Sequence, residues 1–161
     1  MRPVTAGVVG LIVLLAACGG SGLSVDEYAE QMQTRTDVLE AQGEQFVLDL
    51  DAALDPETGA VIDSDVLQRM LDETAAALQV YFNQLAQLDP PAEVAEAHDA
   101  FVAVAVPRLE QWQSAAGRAA EIASREELAT LVLKTPEFTE TCISLERAVE
   151  NAGSALDLDC D

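Results

Sequence analysis

Basic side chains are scarce in this chain: 8 Lys and Arg stand against 29 Asp and Glu, a formal charge of −21 at pH 7 over 161 residues. A surface so acidic repels phosphate backbones and anionic lipid headgroups alike, so nucleic acid is not an expected partner. Histidine is down to one, His98. Covalent haem attachment needs Cys-x-x-Cys-His, which is absent. Di-iron helical bundles use Glu-x-x-His pairs, and Ala95 stands where His98 would need its Glu. A b-type haem held by His98 and either Met32 or Met70 is the remaining haem arrangement. Its plainer rival is a histidine that completes a helix face near Glu96 and Asp99. No Gly-x-Ser-x-Gly elbow and no phosphate-binding glycine loop occurs, and no third residue stands out to complete a Ser-His-Asp group. With 29 carboxylates, no pair can be singled out as an acid and base. Neither enzymatic activity nor a resident cofactor is expected.

Aromatic residues are also few, with one Trp, two Tyr and four Phe, although half the chain is hydrophobic. Glycine and proline are few beyond residue 22, and Ala, Leu, Glu and Gln dominate, which favours helix over strand. The length suits one domain with a single core.

What is present begins with a charged start, Met1 and Arg2, and an uncharged apolar run from Ala6 to Ala17. That run is shorter than the roughly 20 residues needed to cross a bilayer, and it has the length of an export signal. Leu15-Ala16-Ala17-Cys18 closes it, and Gly19-Gly20-Ser21-Gly22 follows as a flexible leash. These residues resemble the lipobox of bacterial prolipoproteins. The resemblance implies removal of residues 1–17 and a diacylglycerol, usually joined by a third acyl chain, on Cys18. It also implies a leash over 18–23 and a domain over 24–161 on the extracytoplasmic side of the cell membrane. Two or three acyl chains anchor a protein durably where one does not. Loss of Arg2 leaves seven basic residues against twenty-nine acidic ones, −22. With Cys18 lipidated, Cys142 and Cys160 are an even pair in an oxidising compartment and are expected to form a disulfide.

Ser24-Val25-Asp26-Glu27 has the form of a capping box. From there Tyr28, Met32, Leu39, Phe46, Leu50 and Leu54 recur at intervals of four and seven, one stripe of a helix about 45 Å long at 1.5 Å per residue, with Gly43 a weak spot. After a break at Asp55-Pro56-Glu57-Thr58-Gly59, a cap at Asp63 or Ser64 opens a second helix that reaches Leu88. Asp89-Pro90-Pro91 stops it, with Pro91 as first residue of a third helix running to Ala119, kinked at Pro107. Val102, Val104 and Val106 alternate as a strand would, but their flanks are helical. Ser124-Arg125-Glu126-Glu127 caps a short helix to Leu133. Thr135-Pro136 opens another that Gly153 ends, and the tail doubles back to bring Cys160 to Cys142. The short connections predict an all-α, up-down-up-down four-helix bundle with a split last leg and a disulfide-tethered tail. The stretch Leu88 to Glu93, His98, Phe101-Val102 and the ending Cys142 to Cys160 are similar to small exported helical lipoproteins, a likeness that implies no particular activity.

The loop from Asp55 to Asp65 offers Asp55, Glu57, Asp63 and Asp65 as cation ligands. As a calcium loop it departs from the pattern, with Ala60 in the glycine position and Val66 in place of the bidentate Glu. Trp112 between Gln111 and Gln113 is either a core anchor or a ligand-stacking ring. The leading expectation is a membrane-tethered binding or structural module that meets an envelope protein or component. The runner-up is a carrier of a small ligand or a cation. Cys18→Ser is expected to move the protein from the membrane pellet to the soluble fraction of lysed cells. Persistence of the variant in the pellet would place the anchor elsewhere.

Overall fold

The computed structural model describes residues 22–160. Cys18, the expected signal segment and most of the expected leash lie outside the described residues, as does Asp161. Among the described residues there are six α-helices and one 3-10 turn, with no strand beyond two isolated bridges. α1 spans Val25–Ala53 and starts from the expected box. The Ser24 hydroxyl accepts from the Glu27 amide at 3.3 Å, and the Glu27 carboxylate accepts from the Ser24 amide at 3.0 Å. α2, Ser64–Leu85, is capped by the Asp63 carboxylate, which accepts from the amides of Asp65 and Val66. α3 spans Ala95–Ala103, and α4 spans Ala105–Gly117 with a 3-10 turn after it over Ala119–Glu121. α5, Arg125–Val132, is capped by Ser124. α6, Pro136–Asn151, is capped by Thr135 with Pro136 in its first turn.

Three boundaries differ from those the sequence predicts. α2 ends at Leu85, and the Leu88 amide bonds back to the Leu85 carbonyl at 2.9 Å in a tight turn. The chain must leave helical geometry before Pro90, because a residue preceding proline is pushed toward extended backbone. Pro91 does not open α3. Its carbonyl accepts from the Val94 amide at 3.0 Å, closing a single turn, and the first helical bond is His98 N–H to Val94 carbonyl at 2.9 Å. The expected kink at Pro107 is a break one turn earlier, at Val104. Breaking there puts Pro107 in the first turn of α4, where an amide has no intrahelical partner in any case.

That break lets one leg of the chain serve two neighbours. α3 packs against α6, while α4 packs against α2 and α5. α2 lies between α1 and α4, and its buried Leu67, Leu71 and Leu85 join Tyr28, Met32, Phe101, Leu145 and Val149 in one core. At roughly 1.5–3 kcal/mol for each large apolar side chain fully buried, this core supplies the main force holding the helices together.

α6 ends with Gly153 at φ +98°, a left-handed conformation that glycine adopts without strain. The tail then turns back along α6. The Leu158 amide donates to the Glu146 carboxylate at 2.7 Å and Leu158 is buried. Cys160 is bonded to Cys142 with their Cα atoms 5.6 Å apart, the pairing the sequence predicts. Closing a loop of this size should stabilise the fold by about 3 kcal/mol through restriction of the unfolded chain. Reduction, or Cys142→Ala with Cys160→Ala, is therefore expected to lower the unfolding free energy in urea by about that amount. Denaturation curves unchanged by reductant would contradict it.

Candidate ligand-binding cleft

The buried residues of α1 fall at its two ends: Tyr28, Ala29, Met32 and Thr36 toward the start, Leu50 and Ala53 toward the finish. From residue 37 to residue 49 no side chain is fully buried. The inward stripe of α1 runs Met32, Thr36, Leu39, Gly43, Phe46, Leu50, Ala53, alternating steps of four and three. Two stripe positions in its middle, Thr36 and Gly43, are small. On α2 the facing residues include Thr74 and Ala77, also small. Neither helix fills the space between them, and a cleft of about 230 Å³ results, lined mainly by apolar groups. A Cβ added to Gly43 would meet nothing within 4 Å.

The far wall of the cleft is aromatic and cationic. Phe46 stands edge-on to Trp112, ring centroids 5.5 Å apart, and Phe101 is tilted against Phe138 at 5.4 Å. Between Trp112 and Phe138 lies the guanidinium of Arg108, 5.5 Å from one ring centroid and 5.8 Å from the other, within cation–π range. Its Nη1 donates to the carbonyls of Val132 at 2.6 Å and Leu133 at 2.8 Å and to the Gln111 amide oxygen at 2.8 Å. The guanidinium thereby caps the C-terminus of α5, where free carbonyls and the helix dipole favour a cation. Burial lowers its pKa to about 10, which leaves it protonated at neutral pH. Trp112 is only 8 % exposed, and among the described residues its indole N–H has no acceptor. The tail closes one side with Leu158 and Asp159, and the Lys134 ammonium donates to the Asp159 carbonyl. Glu40 lines the rim beside this tail, its carboxyl pKa raised by desolvation and then by Asp159, Asp37, Asp157 and Glu44.

The proposed cation loop is arranged otherwise than the sequence suggests. The Asp55 carboxylate turns inward on its own loop, accepting from the Glu57 and Thr58 amides and the Thr58 hydroxyl, and these bonds lower its pKa. Asp63 is taken up capping α2, bonded to the Asp65 amide, and the loop is tied to the start of α5 through Val61 to Ala123 and Arg125 to Gly59. The Asp55 and Asp63 carboxylates thus serve local turns, while Glu57 and Asp65 contribute backbone amides to them. Among the described residues no group of three or more His, Cys, Asp or Glu is placed to hold a metal ion.

His98 is a core residue, 3 % exposed, with Nδ1 2.9 Å from the Tyr28 hydroxyl and a further hydrogen bond to the backbone carbonyl of Leu85. Met32 and Met70 are packed into the core. A second buried polar pair, Thr36 to Tyr81 at 3.1 Å, joins α1 to α2. Trp112 is a buried anchor, and it also lines the cleft. Arg108 is the residue sequence reasoning missed. Its spacing of four from Trp112 puts both on one face of α4, a signal available from the chain alone.

No family model, no curated protein and no solved structure matches this chain. No helix among the described residues is long and apolar enough to cross a membrane.

Desolvation holds the His98 pKa below its ordinary value of 6.5, with Asp99 and the Leu85 carbonyl opposing the shift. The unfolded chain then binds this proton more readily than the folded one. Stability from His98 is complete above pH 6.5 and is lost as pH falls toward the lowered folded value. The difference in unfolding free energy between the wild type and His98→Gln should shrink on acidification, by up to about 1.4 kcal/mol per pH unit. Parallel curves for the two proteins from pH 7.5 to 5 would refute the assignment.

Proposed function

We propose that this chain is an extracytoplasmic lipoprotein, anchored through Cys18 after removal of residues 1–17, whose helical domain is a binding module for a small apolar molecule. In this reading the helices run up-down-up-down, with the third and fourth legs each in two pieces. The leash spaces the domain from the bilayer, and the acidic surface keeps it off anionic headgroups. The lipobox residues support the anchor, and the Cys142–Cys160 disulfide agrees with an oxidising compartment. Catalysis has no part in this function.

The observation that carries the binding role is the cleft beneath Gly43. A bundle evolved only as a scaffold gains about 1 kcal/mol or more for each methyl-sized void it fills, and here a void far larger is kept open by two small stripe residues. In proportion to the 150 Å³ cavity that takes benzene, the cleft has room for roughly nine non-hydrogen atoms. Octan-1-ol is a probe of that size, and Trp112, the sole tryptophan, reports its arrival by fluorescence. Titration should give a saturable change in emission and a rise in melting temperature. Gly43→Leu should abolish both while the variant stays folded, because leucine suits a helix better than glycine and its side chain enters open space. An absence of saturable binding, or equal binding by Gly43→Leu, would exclude the role.

A further inference from the structure

Resting on the cleft as a ligand site, we infer that its ligand is an amphiphile with a carboxylate head, received by the guanidinium of Arg108 and the indole N–H of Trp112, with its apolar tail among Phe46, Leu78 and Phe82.

Two observations at the same wall point to an acceptor that the protein does not itself provide. An indole N–H donates and cannot accept, and buried donors almost always have a partner. That of Trp112 has none among the described residues, although the side chain is more than nine-tenths buried. Beside it, Arg108 makes all three of its hydrogen bonds through Nη1, and all three acceptors are neutral. Nε and Nη2 have no acceptor, and no carboxylate comes within ion-pair distance among the described residues, in a chain with 29 of them. The two flanking rings hold the guanidinium in place, so its remaining donors are organised before a ligand arrives. A carboxylate fits such a fork in two hydrogen bonds, which a single-point ammonium could not offer it.

The rim also carries Glu40 and Asp159, which would suit a cationic head instead. Both are exposed, however. Charge attraction is screened at such positions and grows as a site is desolvated, so the half-buried Arg108 beside the buried Trp112 gains more from a counter-charge than the rim carboxylates do. The cost of leaving a donor empty falls on the Trp112 indole N–H, which is buried without a partner among the described residues.

The test is a head-group series of constant tail length on the full lipid-free protein at pH 7.5: octanoate, octan-1-ol and octylamine, below their aggregation concentrations, read by Trp112 fluorescence and calorimetry. Octanoate should bind at least tenfold more tightly than octan-1-ol. Arg108→Gln should reduce that preference to within threefold, whatever it does to the affinity for octan-1-ol itself. Equal or tighter binding of octan-1-ol would overturn the carboxylate head and leave the cleft standing. Preference for octylamine would do the same in favour of the Glu40 rim. Silence from all three probes would remove the cleft as a ligand site and this inference with it. Should Arg108→Gln fail to fold for want of the α5 cap, the wild-type series decides alone.

Discussion

The structure turns on a helix that is gripped at both ends and left unsupported between them. α1 is held at its start by Tyr28, Met32 and Thr36 and at its finish by Leu50 and Ala53. Past that grip, the stripe presents Gly43 where a continuous bundle would present leucine. A buried leucine at such a place is worth about 1.5–3 kcal/mol, so the omission is a substantial forfeit of stability in a domain whose total is of the order of 5–15 kcal/mol. Leu39 and Phe46, only partly buried, are what remain to hold that span to α2 and α4. The cleft is the direct geometric result of that interruption.

The grip at the start is partly polar, and polar contacts specify position more sharply than apolar ones. Tyr28 to His98 ties α1 to α3, and Thr36 to Tyr81 ties α1 to α2. A slide of α1 along its neighbours would leave buried hydroxyls without partners, which costs more than the bonds contribute when made. On the opposite side the Val104 break redirects α4 toward α2 and α5, and the last carbonyls of α5 find a cation in Arg108. The same side chain that closes this corner therefore stands in the cleft wall, half-buried between two rings. The disulfide-bound tail completes the enclosure with Leu158 and Asp159. Fold and site are built from one set of contacts.

Local chemistry made most of the helical framework readable in the chain. Ser24, Asp63, Ser124 and Thr135 each cap the helix expected of them, because the bonds that define a cap lie within three residues. The Cys142–Cys160 pairing followed from the count and from the turn at Gly153. Pro107 was seen to disrupt its helix, but not where, since a chain can satisfy the missing amide by restarting a turn ahead of the proline. Asp55 and Asp63 read as ligands in the chain because the alternation of acidic residues is visible and their own amide partners are not. The cleft was illegible for a different reason. Gly43 alone reads as a weak spot in a helix, and it becomes the edge of a cavity only when Thr74 and Ala77 stand opposite. Arg108 gave a readable signal in its spacing from Trp112, yet its unmet donors emerge only after Val132 and Leu133 arrive from a distant part of the chain.

The central claim concerns the support beneath the middle of α1, and native-state hydrogen exchange resolved along that helix measures it directly. Openings are cheapest where few apolar contacts must be broken. Amides between residues 38 and 48 are predicted to exchange at least tenfold faster than those between 30 and 36, and saturating octan-1-ol is predicted to close the gap. Uniform protection from end to end, or protection indifferent to the added alcohol, would contradict the account.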